Sequence, residues 1–168
     1  ASNNTGIGHS ALYSNTTATD CVAVGYKALE DSNANYCTAV GEQALTNNTT
    51  GDVNTAVGQR ALKTCTTGRI NTACGGNSMD GLTTGNYNIA FGKDAGCNLT
   101  SGPHNIFIGR NAGKENTTGK TNFFGGYSAG RCNTSGCYNV IFGLSAGKCG
   151  ASGNKRVCLL YTSPSPRD

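Results

Sequence analysis

The sequence repeats a single phrase, which in its clearest copy reads Asn54-Thr55-Ala56-Val57-Gly58-Gln59-Arg60-Ala61-Leu62-Lys63-Thr64-Cys65-Thr66-Thr67-Gly68-Arg69-Ile70. The first glycine of the phrase recurs every 17 residues, with one step of 16, at Gly8, Gly25, Gly41, Gly58, Gly75, Gly92, Gly109, Gly126 and Gly143. A fixed short period is the sequence signature of a solenoid, in which each copy forms one stacked unit. We number each copy from the residue four before this glycine, so that the glycine is position 5.

The residue types at each position predict the shape of one coil. Positions 1 to 4 are rich in Thr, Val, Ile and Phe and predict a short strand, and the glycine at position 5 predicts a bend. The Thr-Thr-Gly segment at positions 13 to 15 predicts a second turn. We therefore expect an all-β protein, a parallel β-solenoid (β-roll or β-helix) of nine coils of about 17 residues, spaced about 4.8 Å apart. Position 4 is mostly apolar, and we expect it to be more buried than positions 6 and 7.

The copies fall into two sets that differ at positions 3 and 9. The first five copies have Leu or Met at position 9 and Gly or Ala at position 3, as in Leu62 with Ala56. The last three have Gly at position 9 and Phe or Ile at position 3, as in Gly113 with Phe107. Two explanations stay open here. Either the two positions exchange volume in one packed layer, or two sub-families of repeat were joined by duplication.

The repeat array covers residues 1–157, and the last eleven residues depart from it. Residues 158–168 resemble a translated sequencing adapter, which is typical of a metagenomic assembly, and such scars are excluded from fold reasoning. The alternative is a genuine proline-rich tail.

Cysteines at equivalent positions of adjacent coils predict two disulfides. Cys21 and Cys37 share position 1, and Cys132 and Cys149 share position 11. Neighbouring coils bring such Cα atoms within disulfide range, and disulfides favour an extracellular, oxidising setting. The sequence does not pair the remaining cysteines of the array, which are Cys65, Cys74, Cys97 and Cys137. We expect no metal site or cofactor, because no Cys-x-x-Cys pair occurs and both histidines are isolated.

Asparagine supplies two further sets of candidate residues. The Asn residues at position 1 predict a stacked amide ladder, formed by Asn54, Asn71, Asn88, Asn105, Asn122 and Asn139. Asn-x-Ser/Thr sequons predict glycosylation at Asn15, Asn48, Asn98, Asn116 and Asn133. All of these sequons except Asn98 share position 12, so we expect them on one exposed ridge. The alternative is that Asn and Thr are simply favoured in turns.

Composition and charge narrow the function classes. The net charge is +4, and the bases at position 10 (Lys63, Lys114, Arg131 and Lys148) are interpreted as a solvated edge rather than a nucleic-acid site. No transmembrane run occurs. The nine acidic residues share no catalytic spacing, so we expect no enzyme.

The phrase Asn-Thr-Ala-Val-Gly, with its variants at 88–92 and 105–109, resembles the head repeats of YadA-like trimeric autotransporter adhesins. The longer phrase, continued by Ala-Leu and Asn-Thr-Thr-Gly, is similar to repeats of phage tail-fibre and bacterial surface proteins. The resemblance implies a β-roll fold, homotrimers and a cell or virion surface location.

We therefore expect a structural segment of an extracellular fibre or adhesin. Its partners are further copies of itself, in an end-to-end filament or a homotrimer, together with glycans or a host surface. The alternatives are a receptor- or carbohydrate-binding fibre module and an ice-binding solenoid. Ice binding depends on a threonine column at position 2, formed by Thr38, Thr55 and Thr72.

Overall fold

A computed structural model describes residues 1–148 and 153–159, and its described residues form strands and turns without a helix. Ten three-residue strands build one sheet in chain order, and every neighbouring pair is parallel. The predicted parallel β-solenoid is thereby confirmed. The strands are β1 (Thr5–Ile7), β2 (Val22–Val24), β3 (Thr38–Val40), β4 (Thr55–Val57), β5 (Thr72–Cys74), β6 (Ile89–Phe91), β7 (Ile106–Ile108), β8 (Phe123–Gly125), β9 (Val140–Phe142) and β10 (Val157–Leu159).

The strands stack so that equivalent positions of the repeat pair directly. Thr55 pairs with Thr72 across β4 and β5, a step of one full copy. Val22 pairs with Thr38 across β2 and β3, although this copy is one residue short. The missing residue lies on the far side of the coil, where a turn absorbs it without shifting the strands. Register is therefore kept along the whole sheet.

Each strand directs position 3 into the core and positions 2 and 4 outward. Ala56 is fully buried, whereas Val57 at position 4 is 38% exposed. Position 4 is exposed in most copies, while position 7 is mostly half-buried. The expectation that position 4 is more buried than position 7 is therefore wrong, whereas position 6 is exposed in eight of the nine copies and is no more buried than position 4. The reason is the alternation of side chains along a strand, which sends positions 2 and 4 to the same face once position 3 points inward.

The core is a column of small and large side chains that exchange volume between positions 3 and 9. A Cβ atom added to Gly96 would lie 2.5 Å from the Phe107 ring, and one added to Gly130 would lie 2.6 Å from the Phe124 ring. The large side chain at position 3 thus occupies the room that glycine leaves at position 9. In the first copy the roles reverse, because a Cβ atom added to Gly6 at position 3 would lie 3.5 Å from Cδ1 of Leu12 at position 9. Of the two explanations that the sequence leaves open, the packing supports volume exchange.

The array extends slightly beyond its predicted end. Cys158 and Leu159 lie in β10 and pair with Ile141 and Phe142 of β9, in the same register as the other strands. The remainder of the predicted tail, residues 160–168, lies outside the described residues.

Candidate functional site

The glycine at position 5 sets how closely the coils approach. Gly41 has φ +137°, and a Cβ added to it would lie 2.5 Å from the carbonyl oxygen of Gly58 in the next coil. Equivalent contacts repeat from Gly8 to Gly126. Any side chain here would both strain the backbone and push two coils apart. This column explains why position 5 is glycine in every copy.

Directly before the strands, the position 1 asparagines form a buried amide ladder. The Nδ2 of Asn71 donates to Oδ1 of Asn54 at 3.2 Å, and the Nδ2 of Asn139 donates to Oδ1 of Asn122 at 3.0 Å. The same Oδ1 of Asn54 also accepts from the backbone N–H of Asn71 at 2.9 Å. Corresponding bonds link all six residues named from the sequence.

In five of its six copies the ladder also closes the coil on itself. The Nδ2 of Asn71 donates to the carbonyl oxygen of Gly85 at 2.9 Å, which joins position 1 to position 15 of the same copy. Asn122 makes the same bond to Gly136 at 2.8 Å. Because these amides are buried, each unmade hydrogen bond would leave a desolvated polar group. The ladder therefore ties coils together and holds these coils closed.

Cys21 and Cys37 replace asparagine at position 1 and lie buried beside each other in adjacent coils, as free thiols. Cys21 Sγ donates to the carbonyl oxygen of Ala34 at 3.1 Å, and Cys37 Sγ donates to that of Gly51 at 3.4 Å. Gly51 is position 15 and Ala34 is its counterpart in the copy that is one residue short, so each thiol takes over one bond of the ladder. The hydrogen bond between the thiols lowers the pKa of Cys21 and raises that of Cys37, whose burial raises it further. The Cys21–Cys37 disulfide stays a prediction, and Cys149 of the second predicted pair lies outside the described residues.

The sequons do not form the expected ridge, because position 12 points into the core. Asn48 and Asn116 are fully buried and Asn133 is 3% exposed. The amide of Asn48 holds the turn to Gly51, donating at 2.9 Å to its carbonyl and accepting at 3.1 Å from its N–H. The expectation of one exposed ridge is therefore wrong, and glycosylation at these three residues stays a prediction that their burial in the fold disfavours. Asn98 is exposed and Asn15 is half-buried, and both stay candidates.

The bases at position 10 lie on an edge where acids accompany them. Lys114 Nζ lies 3.9 Å from an Asp94 carboxylate oxygen, and Arg131 Nε lies 3.5 Å from one of Glu115. Exposed pairs of this kind contribute about 0 to 1 kcal/mol each. These ion pairs agree with the interpretation of the position 10 bases as a solvated edge.

Opposite the core side of the sheet lies a surface without charge. We define the outer sheet face as the residues at positions 2 and 4 of β1–β10, that is, the first and third residue of each strand. All twenty are Thr, Val, Ile, Phe, Leu, Cys or Gly. Phe91 is 45% exposed, Ile108 44% and Phe142 50%. Sequence reasoning missed this face because it assigned position 4 to the core. The signal that could have revealed it is the absence of charged residues at positions 2 and 4.

Exposed aromatic rings flank the outer sheet face. At position 17, Tyr87 and His104 of adjacent coils stack with ring centroids 5.0 Å apart and planes 2° from parallel. At position 6, His9 and Tyr26 stack with centroids 5.7 Å apart. Equivalent positions one coil apart thus place planar rings side by side, as offset stacking favours.

Within residues 1–148 and 153–159 no group of three or more His, Cys, Asp or Glu side chains is placed to hold a metal ion. No helix in this part of the chain is long and apolar enough to cross a bilayer. No protein-family model, curated protein or solved structure matches the chain.

Proposed function

We propose that this chain is a structural segment of an extracellular fibre or adhesin, which works through its repetitive surface and not through catalysis. The observation that carries the proposal is the equivalence of the coils. Each coil bonds to its neighbours through the same strand pairing, the same glycine contact and, in most copies, the same amide ladder. Because adding a coil needs no new interaction, such a rod is extended by repetition alone.

The first strand supports end-to-end assembly. Thr5 N–H donates to Cys21 at 2.8 Å, and Ile7 accepts from Gly25 N–H at 2.8 Å, so both face β2. Since peptide groups alternate sides along a strand, the N–H and C=O of Gly6 face away from β2. Among the described residues β1 pairs with β2 alone. A matching coil, from another copy or from more repeats of the same chain, would satisfy these groups by strand pairing.

The cysteine placement supports the extracellular location that we propose. Cys21 and Cys37 lie at equivalent positions of adjacent coils, which is the geometry that a disulfide across two coils requires. Such a bridge would make the rod harder to unzip under oxidising conditions. The resemblance to adhesin heads and phage fibres supports the same location at a cell or virion surface, and it favours homotrimers as the alternative to a single-chain filament.

A binding role is the second candidate, favoured by the stacked aromatic pairs. Tyr87 is 49% exposed and lies parallel to His104. The uncovered faces and edges of such a stacked pair suit contact with the apolar face of a sugar ring. A fibre module that reads glycans or a receptor would use this flank, and glycan-array binding that is lost in Tyr87→Ala would favour it.

Electron microscopy of the full chain at rising concentration tests the fibre function. We expect filaments whose length grows with concentration. Gly6→Pro removes the outward N–H of β1 and should shorten them. Gly6→Ala is the matched control, because a Cβ there meets nothing closer than 3.5 Å, and it should leave filament length unchanged. Discrete monomeric particles at high concentration would overturn the proposal.

A further inference from the structure

The outer sheet face presents one continuous apolar strip to solvent. Its exposed members include both β-branched and aromatic side chains, among them Val22, Val40, Val57, Ile89, Phe91, Ile108, Val140 and Phe142. Soluble monomers rarely expose a contiguous apolar patch beyond a few hundred Å² unless it serves an interaction. We propose that this face is a lateral interface between copies of this chain, so that rods associate side by side. This inference builds on the proposed fibre function but concerns a different contact.

The area of the strip fits a protein partner. Ten strands spaced by about 4.8 Å make a strip about 43 Å long, and the two outward columns with their side chains make it about 12 Å wide. The product, roughly 500 Å², falls short of the about 800 Å² that each partner of a stable complex buries. Exposed residues of the flanking columns supply the difference: Tyr36 and Tyr138, each the last residue of its copy, and Leu144 at position 6 are 62%, 51% and 63% exposed. Position 6 also carries Glu42, Lys93 and Arg110, so these flanks, unlike the outer sheet face itself, include charged residues.

The charge distribution points to a copy of the same chain as the partner. Two copies both carry a net charge of +4, so any contact through a basic or mixed edge needs a compensating arrangement of charges. The outer sheet face has no charged residue at any of its twenty positions, so two such faces meet without repulsion between like charges. An acidic or basic partner would gain nothing from a face of this composition.

The spacing of the strip points the same way. Its side chains repeat at the inter-strand distance, and only a partner with the same period can match them rung by rung over the whole length. A second copy has the same period because it has the same repeat. Two sheets pack face to face at about 10 Å with interdigitating side chains. If rods also stack end to end, the strip continues along the filament and the contact area grows with filament length.

The strip is not uniform, and its composition predicts where the contact is strongest. In β3–β5 the position 2 residue is Thr38, Thr55 or Thr72, whereas β6–β9 carry Ile89, Ile106, Phe123 and Val140. Aromatic residues dominate the binding free energy of interfaces when they are desolvated. We therefore expect β6–β9 to hold most of the lateral contact.

The test measures association while keeping the fold. Full-length protein would be compared by sedimentation equilibrium and by filament mass per unit length, for the wild type, Phe91→Lys/Ile108→Lys and the control Thr84→Lys/Thr118→Lys. The control adds the same charge at exposed positions on another side of the coil. We expect the wild type to carry at least twice the mass of a single rod per unit length. The face variant should fall to single-rod mass with unchanged filament length, and the control should behave as wild type.

If the lysine variants fail to fold, a second measurement on the wild type tests the same interface. Cys74 is half-buried on the outer sheet face, and Cys97 at position 10 is half-buried away from it. Raising the wild-type concentration should slow maleimide labelling of Cys74 severalfold and leave the labelling of Cys97 unchanged. Single-rod wild-type mass, or labelling of both cysteines independent of concentration, would overturn the lateral interface. Filament length decides the fibre function separately, because end-to-end stacking changes length and lateral contact changes mass per length.

Discussion

The two halves of the rod fill the same core in opposite ways. In the coil of β4 the core holds Ala56 at position 3 and Leu62 at position 9, whereas in the coil of β7 Phe107 fills the space beside Gly113. Position 9 is left-handed in both, with φ +51° at Leu62 and +57° at Gly113. A left-handed conformation costs a non-glycine residue about 1 kcal/mol and glycine almost nothing. The comparison shows that core volume and backbone strain are exchanged together, since the N-terminal half accepts strain in order to place its large side chain at position 9.

The largest effect should come from giving the C-terminal half the side chain of the N-terminal half. Gly113→Leu would drive a side chain into the Phe107 ring, and we expect a loss of about 3 kcal/mol or more in the free energy of unfolding, because overpacking and left-handed strain add. Thermal and urea unfolding measure it. The double change Phe107→Ala/Gly113→Leu reproduces the N-terminal pair and should recover most of the loss. A double variant no more stable than Gly113→Leu would contradict the volume exchange.

The next largest effect should come from removing two neighbouring amides of the asparagine ladder. Asn88→Ala/Asn105→Ala should lower the free energy of unfolding by about 2 to 4 kcal/mol, because the change leaves buried backbone groups of the neighbouring coils without partners. Chemical denaturation gives the value, and Asn98→Ala on the exposed turn serves as the control. Unchanged melting in the ladder variant would show that the stacked amides do not hold the coils.

A smaller, pH-dependent effect distinguishes two kinds of residue at position 12. Burial raises the pKa of Cys65 to about 12, whereas Leu82 fills the same position one coil further without a titrating group. The neutral thiol is favoured in the folded state, so its contribution is complete below the ordinary pKa near 9 and is lost as the pH rises toward 12. We expect the melting temperature of the wild type to fall by several degrees more than that of Cys65→Leu between pH 8 and pH 11. Parallel melting curves for the two proteins would contradict this.

The smallest effect concerns the corner at position 17, where the third and fourth copies carry the β-branched residues Val53 and Ile70. Ile70 has φ +58° and Val53 has φ +62°, a conformation that β-branched residues rarely adopt. Ile70→Asn should raise the free energy of unfolding by about 0.5 to 1 kcal/mol, because asparagine tolerates the left-handed region. Thr55→Asn, in the strand, is the control and should destabilise. If Ile70→Asn and Thr55→Asn change the free energy of unfolding in the same direction, backbone strain at Ile70 does not destabilise the fold.

The repeat made the coil, the strand and the register predictable, because the glycine at position 5 fixes where each coil touches the next. Burial was less predictable. Apolar character at position 4 suggested a core residue, but Val57 and Phe91 point outward since Ala56 and Ala90 take the interior. Residue size could have predicted that position 3 points inward, because only small residues at position 3 leave room for Leu at position 9. The inward asparagines at position 12 were missed for a related reason, as Asn48 looks like a surface turn residue until its bonds to Gly51 are seen.

X-ray fibre diffraction from aligned filaments tests the central claim, that coils stack in register along one axis within and between copies. We expect a strong reflection near 4.8 Å along the filament axis, because the strands run perpendicular to the direction in which coils stack. Gly6→Pro should weaken the alignment by shortening the filaments without moving the reflection. A 4.8 Å reflection perpendicular to the filament axis would contradict the account, since the rods would then be joined through their sides and not through their ends.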